Sequence, residues 1–187
     1  MGFDLYGIEP KENMKEPAIL KKNIFKMRSD KQKEKYWNAR DLYNEKNPGI
    51  YFRNNVWWWR PLWDYVCEVC YQVMTDEDVQ AGQYNDGVDI SKETSIKMYK
   101  ILETLLDAGE VKKKEEAYKK EVEDLPLEKC SICEGLGERD DKIVQGTCNA
   151  CKGKGKVKNW ASNYPFSEDN VRGFAEFLNE CGGFTVC

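Results

Sequence analysis

Two copies of the pattern C-x-x-C-x-G-x-G, CSICEGLG at 130–137 and CNACKGKG at 148–155, constrain this chain more than any other feature. Cysteines spaced this way sit on a tight turn that aims both sulfurs at one point, and two such turns supply four soft ligands. Zinc takes four thiolates tetrahedrally without imposing any further geometry. Cys130, Cys133, Cys148 and Cys151 therefore predict one structural zinc ion. The glycines at 135, 137, 153 and 155 allow positive φ and bring backbone amides near the sulfurs. Together with Lys152, Lys154, Lys156 and Lys158, those amides can offset the two surplus negative charges of a four-thiolate site. The competing reading is a pair of redox dithiols or ordinary reduced cysteines. A closed four-cysteine site has no open coordination position, so it is expected to stabilise the fold and not to act as a Lewis acid. Binding energy on the order of 10 kcal/mol would hold together a stretch, 127–158, with almost no apolar core of its own.

The other strong constraint is an absence. The 187 residues include no histidine, which excludes Ser-His-Asp and Cys-His catalysis, histidine general bases and mixed Cys/His metal sites. Four thiolates and one divalent ion would take the formal charge from −4 to −6, which does not favour general affinity for nucleic acid. No apolar run approaches the ~20 residues of a membrane helix. The opening MGFDLYG lacks the basic-then-apolar pattern of an export signal. Eight cysteines, four of them at metal spacing, and no export signal point to a reducing compartment, so the expected location is the cytoplasm, with no membrane partner.

The rest of the chain reads as an α+β body, mostly helical with short strands, over 1–126 and 159–187, interrupted by the zinc hairpin at 127–158. Phe3 and Leu5 alternate as in a short strand. Residues 11–46 carry eleven Lys and Arg against six Asp and Glu, a local balance of +5, and read as one or two exposed helices ended by Asn47-Pro48-Gly49. The aromatic and β-branched run at 50–60 reads as strand or extended loop. Pro61 suits the start of a helix over 61–74, with Leu62, Val66, Val69 and Val73 on its buried face. Residues 75–90 read as loop. Ser91 should cap a helix with a stripe of Ile96, Tyr99, Leu102, Leu105 and Leu106, ended by Gly109. A charged helix follows over 110–124. Ser167 should cap a last helix burying Val171, Phe174, Phe177, Leu178 and Cys181, and the tail FTVC reads as a final strand.

Trp57, Trp58, Trp59 and Trp63 lie within seven residues, flanked by Arg53 and Arg60. On an extended segment Trp57 and Trp59 share one face. Tryptophan and arginine anchor interfaces, stack as cation–π pairs and hold bases or nucleotide rings. They also fill cores. Arg53, Trp57, Trp59 and Arg60 are thus the candidate binding residues, with burial as the competing use. Cys67 and Cys70 repeat the C-x-x-C spacing without glycines and inside a predicted helix. With Cys181 and Cys187 they leave a second metal site open.

The two cysteine repeats resemble those of the cysteine-rich region of DnaJ-type co-chaperones, over about 130–155. That region carries four repeats and two zinc ions, whereas this chain has two repeats and room for one. The resemblance implies the metal, the hairpin-like shape and a tendency toward protein contacts. It does not imply co-chaperone activity, because a J domain needs His-Pro-Asp. The whole chain also resembles a group of small uncharacterised phage and bacterial proteins, through GFDLYG, YFRNNVWWWRPLWDY, the repeat pair and the ending YPFS-EDNV-RGFAEF with GGF. Relative to that pattern the lysine-rich 11–46 stretch is an insertion. This resemblance implies a phage or prophage origin and carries no activity.

These readings favour a non-enzymatic, zinc-stabilised protein that binds another macromolecule. If the phage resemblance holds, the partner is a host protein in the host cytoplasm, a defence component being one such class. The first alternative is a nucleic-acid-binding zinc protein using 11–46, Lys152 to Lys158 and the tryptophans. The second is a nucleotide or small-molecule binder or enzyme, with Arg53, Arg60 and Asp86 converging on a pocket.

Overall fold

A computed structural model describes residues 2–187. In chain order its elements are β1 (Gly2–Gly7), α1 (Asp30–Lys46), β2 (Tyr51–Asn55), α2 (Val56–Cys70), α3 (Asp76–Ala81), β3 (Val88–Ile90), α4 (Lys92–Asp107), α5 (Glu110–Glu123), β4 (Glu128–Lys129), β5 (Glu138–Asp140), β6 (Gln145–Thr147), β7 (Lys156–Val157), α6 (Glu168–Glu180) and β8 (Phe184–Val186). Helix outweighs strand by 49% to 15%, so the fold is a mostly helical α+β. The chain divides into two compact units. One comprises the residues up to Lys112 with Ser167–Cys187; the other is Lys113–Phe166.

The first unit is built on a four-stranded antiparallel sheet in the order β2-β1-β8-β3. Strand alternation sends Phe3 and Leu5 of β1, and Phe184 and Val186 of β8, into the core, while Asp4 and Tyr6 face the other way. Helix α6 supplies Val171, Phe174, Ala175, Phe177 and Leu178 to that core, with Cys181 buried just beyond its end. Ser167 caps it, accepting from the Asn170 amide. Helix α4, capped by Ser91, packs along α6. Its buried line is Ser95, Met98, Leu102 and Leu106, so Ile96, Tyr99 and Leu105 of the expected stripe are only half-buried. The Ser95 hydroxyl tolerates this burial by donating to the Ser91 carbonyl at 2.9 Å.

The aromatic run departs most from its sequence reading. Only Tyr51–Asn55 is strand; the tryptophans are helical, because the helix starts five residues before Pro61. Asn55 decides this. Its side-chain oxygen accepts from the Trp57 and Trp58 amides, a cap that outweighs the β preference of the aromatic residues. Pro61 then sits inside α2, where it forgoes one helical hydrogen bond. Residues 75–90 are also not all loop. Thr75 and Asp78 form a reciprocal capping box that starts α3, and Val88–Ile90 is the sheet's other edge strand.

Within α2, Trp59 and Trp63 are four apart and face inward together. Trp59 stacks on Phe3 and on Trp63, each at 5.2 Å between ring centroids, and meets Phe174 edge-on. Both indole N–H groups find carbonyls, Trp59 at Gly82 (2.6 Å) and Trp63 at Val79 (3.0 Å). Gly82 must be glycine here, since a Cβ would lie 1.9 Å from the Trp63 ring.

In the second unit the Tyr118 hydroxyl of α5 donates to the Tyr164 carbonyl at 2.6 Å, and its ring packs on Phe166. These contacts tie α5 to the segment 159–166, and the unit extends beyond 127–158 on both sides.

Candidate metal centre

The two cysteine repeats fold as two knuckles related by a local pseudo-twofold. The relation can be read from the register: moving 18 residues forward from the first repeat and 18 back from the second exchanges Cys130 with Cys148 and carries the β4–β7 ladder onto the β5–β6 ladder. Lys129 pairs with Lys156 as Thr147 pairs with Glu138, and Glu128 with Val157 as Gly146 with Arg139. The hydrogen bonds obey the same rule. The Cys130 amide donates to the Gly155 carbonyl at 2.9 Å and the Cys148 amide to the Gly137 carbonyl at 2.8 Å. The Gly137 amide donates to Cys133 Sγ and the Gly155 amide to Cys151 Sγ, both at 3.2 Å.

Glycine at 137 and 155 is a steric requirement. Both have positive φ, and a Cβ would lie 2.5 Å from the Gly153 carbonyl oxygen in one case and 2.3 Å from that of Gly135 in the other. The two knuckle tips therefore touch backbone to backbone. Glu134 and Lys152, at equivalent positions, both take left-handed conformations, with φ of 50° and 52°. Strain of this kind persists only where the surroundings over-determine it.

The four sulfurs lie within 4.8 Å of one another and all four cysteines are buried. Cys133 and Cys151 Sγ are 3.7 Å apart. A tetrahedral tetrathiolate with metal–sulfur bonds of about 2.3 Å has sulfurs about 3.8 Å apart, so the cluster has the dimensions of a metal site. Among the described residues Val157, partly buried, is the hydrophobic side chain that packs against it. Burial opposes ionisation of Cys133, but the Gly137 amide and the neighbouring cysteines outweigh it and bring its thiol down to about 7, whereas burial and the same neighbouring cysteines push the Cys151 thiol up. All four positions around an ion would be filled by protein, which suits a structural metal.

The other cysteines do not join such a group, and no second cluster of metal-ligating side chains forms among the described residues. Cys67 is half-buried and Cys70 fully buried on α2, and burial pushes both thiols up to about 12. That suits inert packing groups better than redox or metal-binding ones. Cys181 is buried beside the Leu178 carbonyl, and Cys187 is exposed.

The four candidate binding residues do not form one surface. Trp59 is fully buried in the aromatic stack, so its place among binding residues is corrected to core. Because the segment is helical, Trp57 and Trp59 no longer share a face; Trp57 is half-buried, and Trp58 is the more exposed. Arg60 is committed internally: its guanidinium lies over the Phe3 ring and binds the Gln83 side chain and carbonyl. Arg53, exposed on the outward face of β2, pairs with Asp4 at 3.4 Å. The two arginines thus serve different neighbours and do not converge as a small-molecule pocket would need.

The residues that the sequence reading passed over are exposed aliphatic side chains on the cysteine hairpin itself, Ile132 (54% exposed), Leu136 (81%) and Ile143 (86%), with Leu127 (60%) just before the first repeat. Their signal was present in the repeat itself, because Ile132 and Leu136 answer to Ala150 and Lys154 in the second copy. No helix among the described residues is long and apolar enough to cross a membrane. No protein-family model, curated protein or solved structure matches this chain.

Proposed function

We propose that this chain is a zinc-stabilised interaction protein that acts by binding another protein and not by catalysis. Zinc is the ion that suits four buried thiolates in a closed tetrahedron within a reducing compartment. With every coordination position taken by cysteine and no histidine in the chain, the metal's work is structural.

One observation carries the binding reading. The pseudo-twofold provides an internal control for what the knuckle fold needs. At positions equivalent to Ile132 and Leu136 the second knuckle has Ala150 and Lys154, and it makes the same turns and the same N–H to sulfur bonds. The exposed aliphatics of the first knuckle are therefore not needed to fold it. Large apolar groups held in water on a rigid turn mark an interaction surface. The resemblance to phage and bacterial proteins supports a partner in the host, with a defence component as the class to test first.

The test follows from the symmetry. Leu136→Lys with Ile132→Ala gives the first knuckle the second knuckle's side chains. The variant should keep one zinc and its melting temperature, yet lose the host proteins that the wild-type chain retains in affinity capture read by mass spectrometry. An unchanged set of captured proteins would remove the knuckle from the binding surface.

A further inference from the structure

The chain's charge is divided unevenly. Residues 11–46 carry +5, which leaves −9 for everything else. None of these 36 residues is buried. The segment is an excursion pinned at its two ends by one side chain. Asn47, completely buried, accepts from the Asn13 and Met14 amides at 2.7 and 2.9 Å and donates to the Met14 and Tyr43 carbonyls at 3.1 and 2.8 Å. The residues between these anchors add nothing to the core.

What they do present is specific. Within KKNIFKMR, residues 21–28, there are four cations and no carboxylate. Lys21, Lys22, Lys26 and Arg28 make no ion pair among the described residues. At the centre a single turn of 3-10 helix, Ile24–Lys26, capped by Asn23 through the Phe25 amide, holds up Phe25 at 95% exposure. On α1, Trp37 is 41% exposed, with the Arg40 guanidinium 4.2 Å above its ring. Exposed rings interleaved with unpaired cations are how proteins hold single strands: bases stack on the rings and phosphates meet the charges.

Two other polyanions fit less well. An anionic membrane surface would want an apolar helix face, whereas α1 has no buried or apolar side and carries Asp30, Glu34, Asp41 and Glu45. An acidic protein would answer the charges but would leave the isolated Phe25 ring without a purpose. We propose that residues 11–46 are a binding arm for single-stranded nucleic acid, with Phe25 and the Trp37–Arg40 pair as stacking platforms. This does not rest on the protein-partner reading, and Leu136→Lys should leave it untouched.

The experiment measures binding of the full zinc-loaded chain to a 20-nucleotide oligo-dT and to an abasic strand with the same phosphates. Oligo-dT should bind more tightly than the abasic strand, and more weakly as salt rises. Phe25→Ala should weaken oligo-dT about tenfold, as loss of a stacking platform does, and leave the abasic strand unchanged. Replacing Lys21, Lys22 and Lys26 by Glu should weaken both strands and reduce the salt slope by about 2. All these side chains are exposed, so an unchanged melt is expected and checks the fold. Three results would overturn the proposal: no oligo-dT binding at low salt, equal affinity for the two strands, or tighter binding of phosphatidylserine vesicles or polyglutamate than of oligo-dT.

Discussion

The two units hold themselves together by opposite means. In the first, Leu5, Trp59, Trp63, Phe174, Phe177, Phe184 and their neighbours bury a continuous apolar core, and hydrophobic transfer supplies the stability. Among the described residues, Val157 alone packs its partly buried side chain against the cysteine cluster of the second, while Ile132, Leu136 and Ile143 face water. There the order comes from four sulfurs, two steric glycines and matched hydrogen bonds. A unit that spends little aliphatic surface on a core can place such side chains on its surface. One that depends on a metal can do so only while the metal is bound.

The largest expected effect breaks the comparison at its root. Cys148→Ser, or strong chelation, should abolish cooperative structure across the cysteine hairpin, because metal binding on the order of 10 kcal/mol is folding energy there. The first unit should keep most of its helical circular dichroism and its own melt. If all cooperative unfolding vanishes with the metal, the two units do not have separate sources of stability.

The reciprocal change is Trp59→Ala. Emptying the centre of the Phe3–Trp59–Trp63 stack should cost about 3–5 kcal/mol in chemical denaturation of the first unit. Zinc content, by elemental analysis, should stay at one equivalent per chain. A loss of zinc in this variant would show that the aromatic core supports the knuckles.

Gly155→Ala sharpens the account of the knuckles themselves. It forces a left-handed alanine whose Cβ would meet the Gly135 carbonyl at 2.3 Å, so the tips must part. A cost of about 1–3 kcal/mol is expected, read as weaker zinc retention in competition with a chelating dye. The first unit's melt should not move.

The smallest effect concerns the first unit at high pH. The Tyr51 hydroxyl is pushed up to about 12, by burial first and by its hydrogen bond to Asp4 second. The folded state therefore keeps this proton where the unfolded chain, with an ordinary value near 10, releases it. Its contribution is fully present below about pH 10 and is lost as pH rises toward 12. Cys67 and Cys70, both also raised to about 12 by burial, push in the same direction. Tyr51→Phe should flatten part of the alkaline loss of stability in melts taken between pH 9 and 12. An equally steep loss would assign it to the thiols.

The sequence by itself determined the features that rest on local chemistry. The spacing of Cys130, Cys133, Cys148 and Cys151 named the sulfur cluster, because a C-x-x-C turn with its glycines closes within eight residues whatever surrounds it. Ser91 and Ser167 named their helices for the same reason, and the alternation at Phe3 and Leu5 named a strand. Only the tertiary structure decided the rest. Whether an aromatic run is strand or helix turned on one cap, Asn55, against a strong β preference. Whether Trp59 is a binding residue turned on Phe3 of β1 and Phe174 of α6 meeting it and Trp63 of its own helix. Which face of α4 is buried turned on where α6 lies, a matter of one residue's rotation that periodicity cannot resolve. Burial is a property of neighbours distant in the chain, so a composition rich in tryptophan and arginine fits a core and an interface equally until those neighbours are in place.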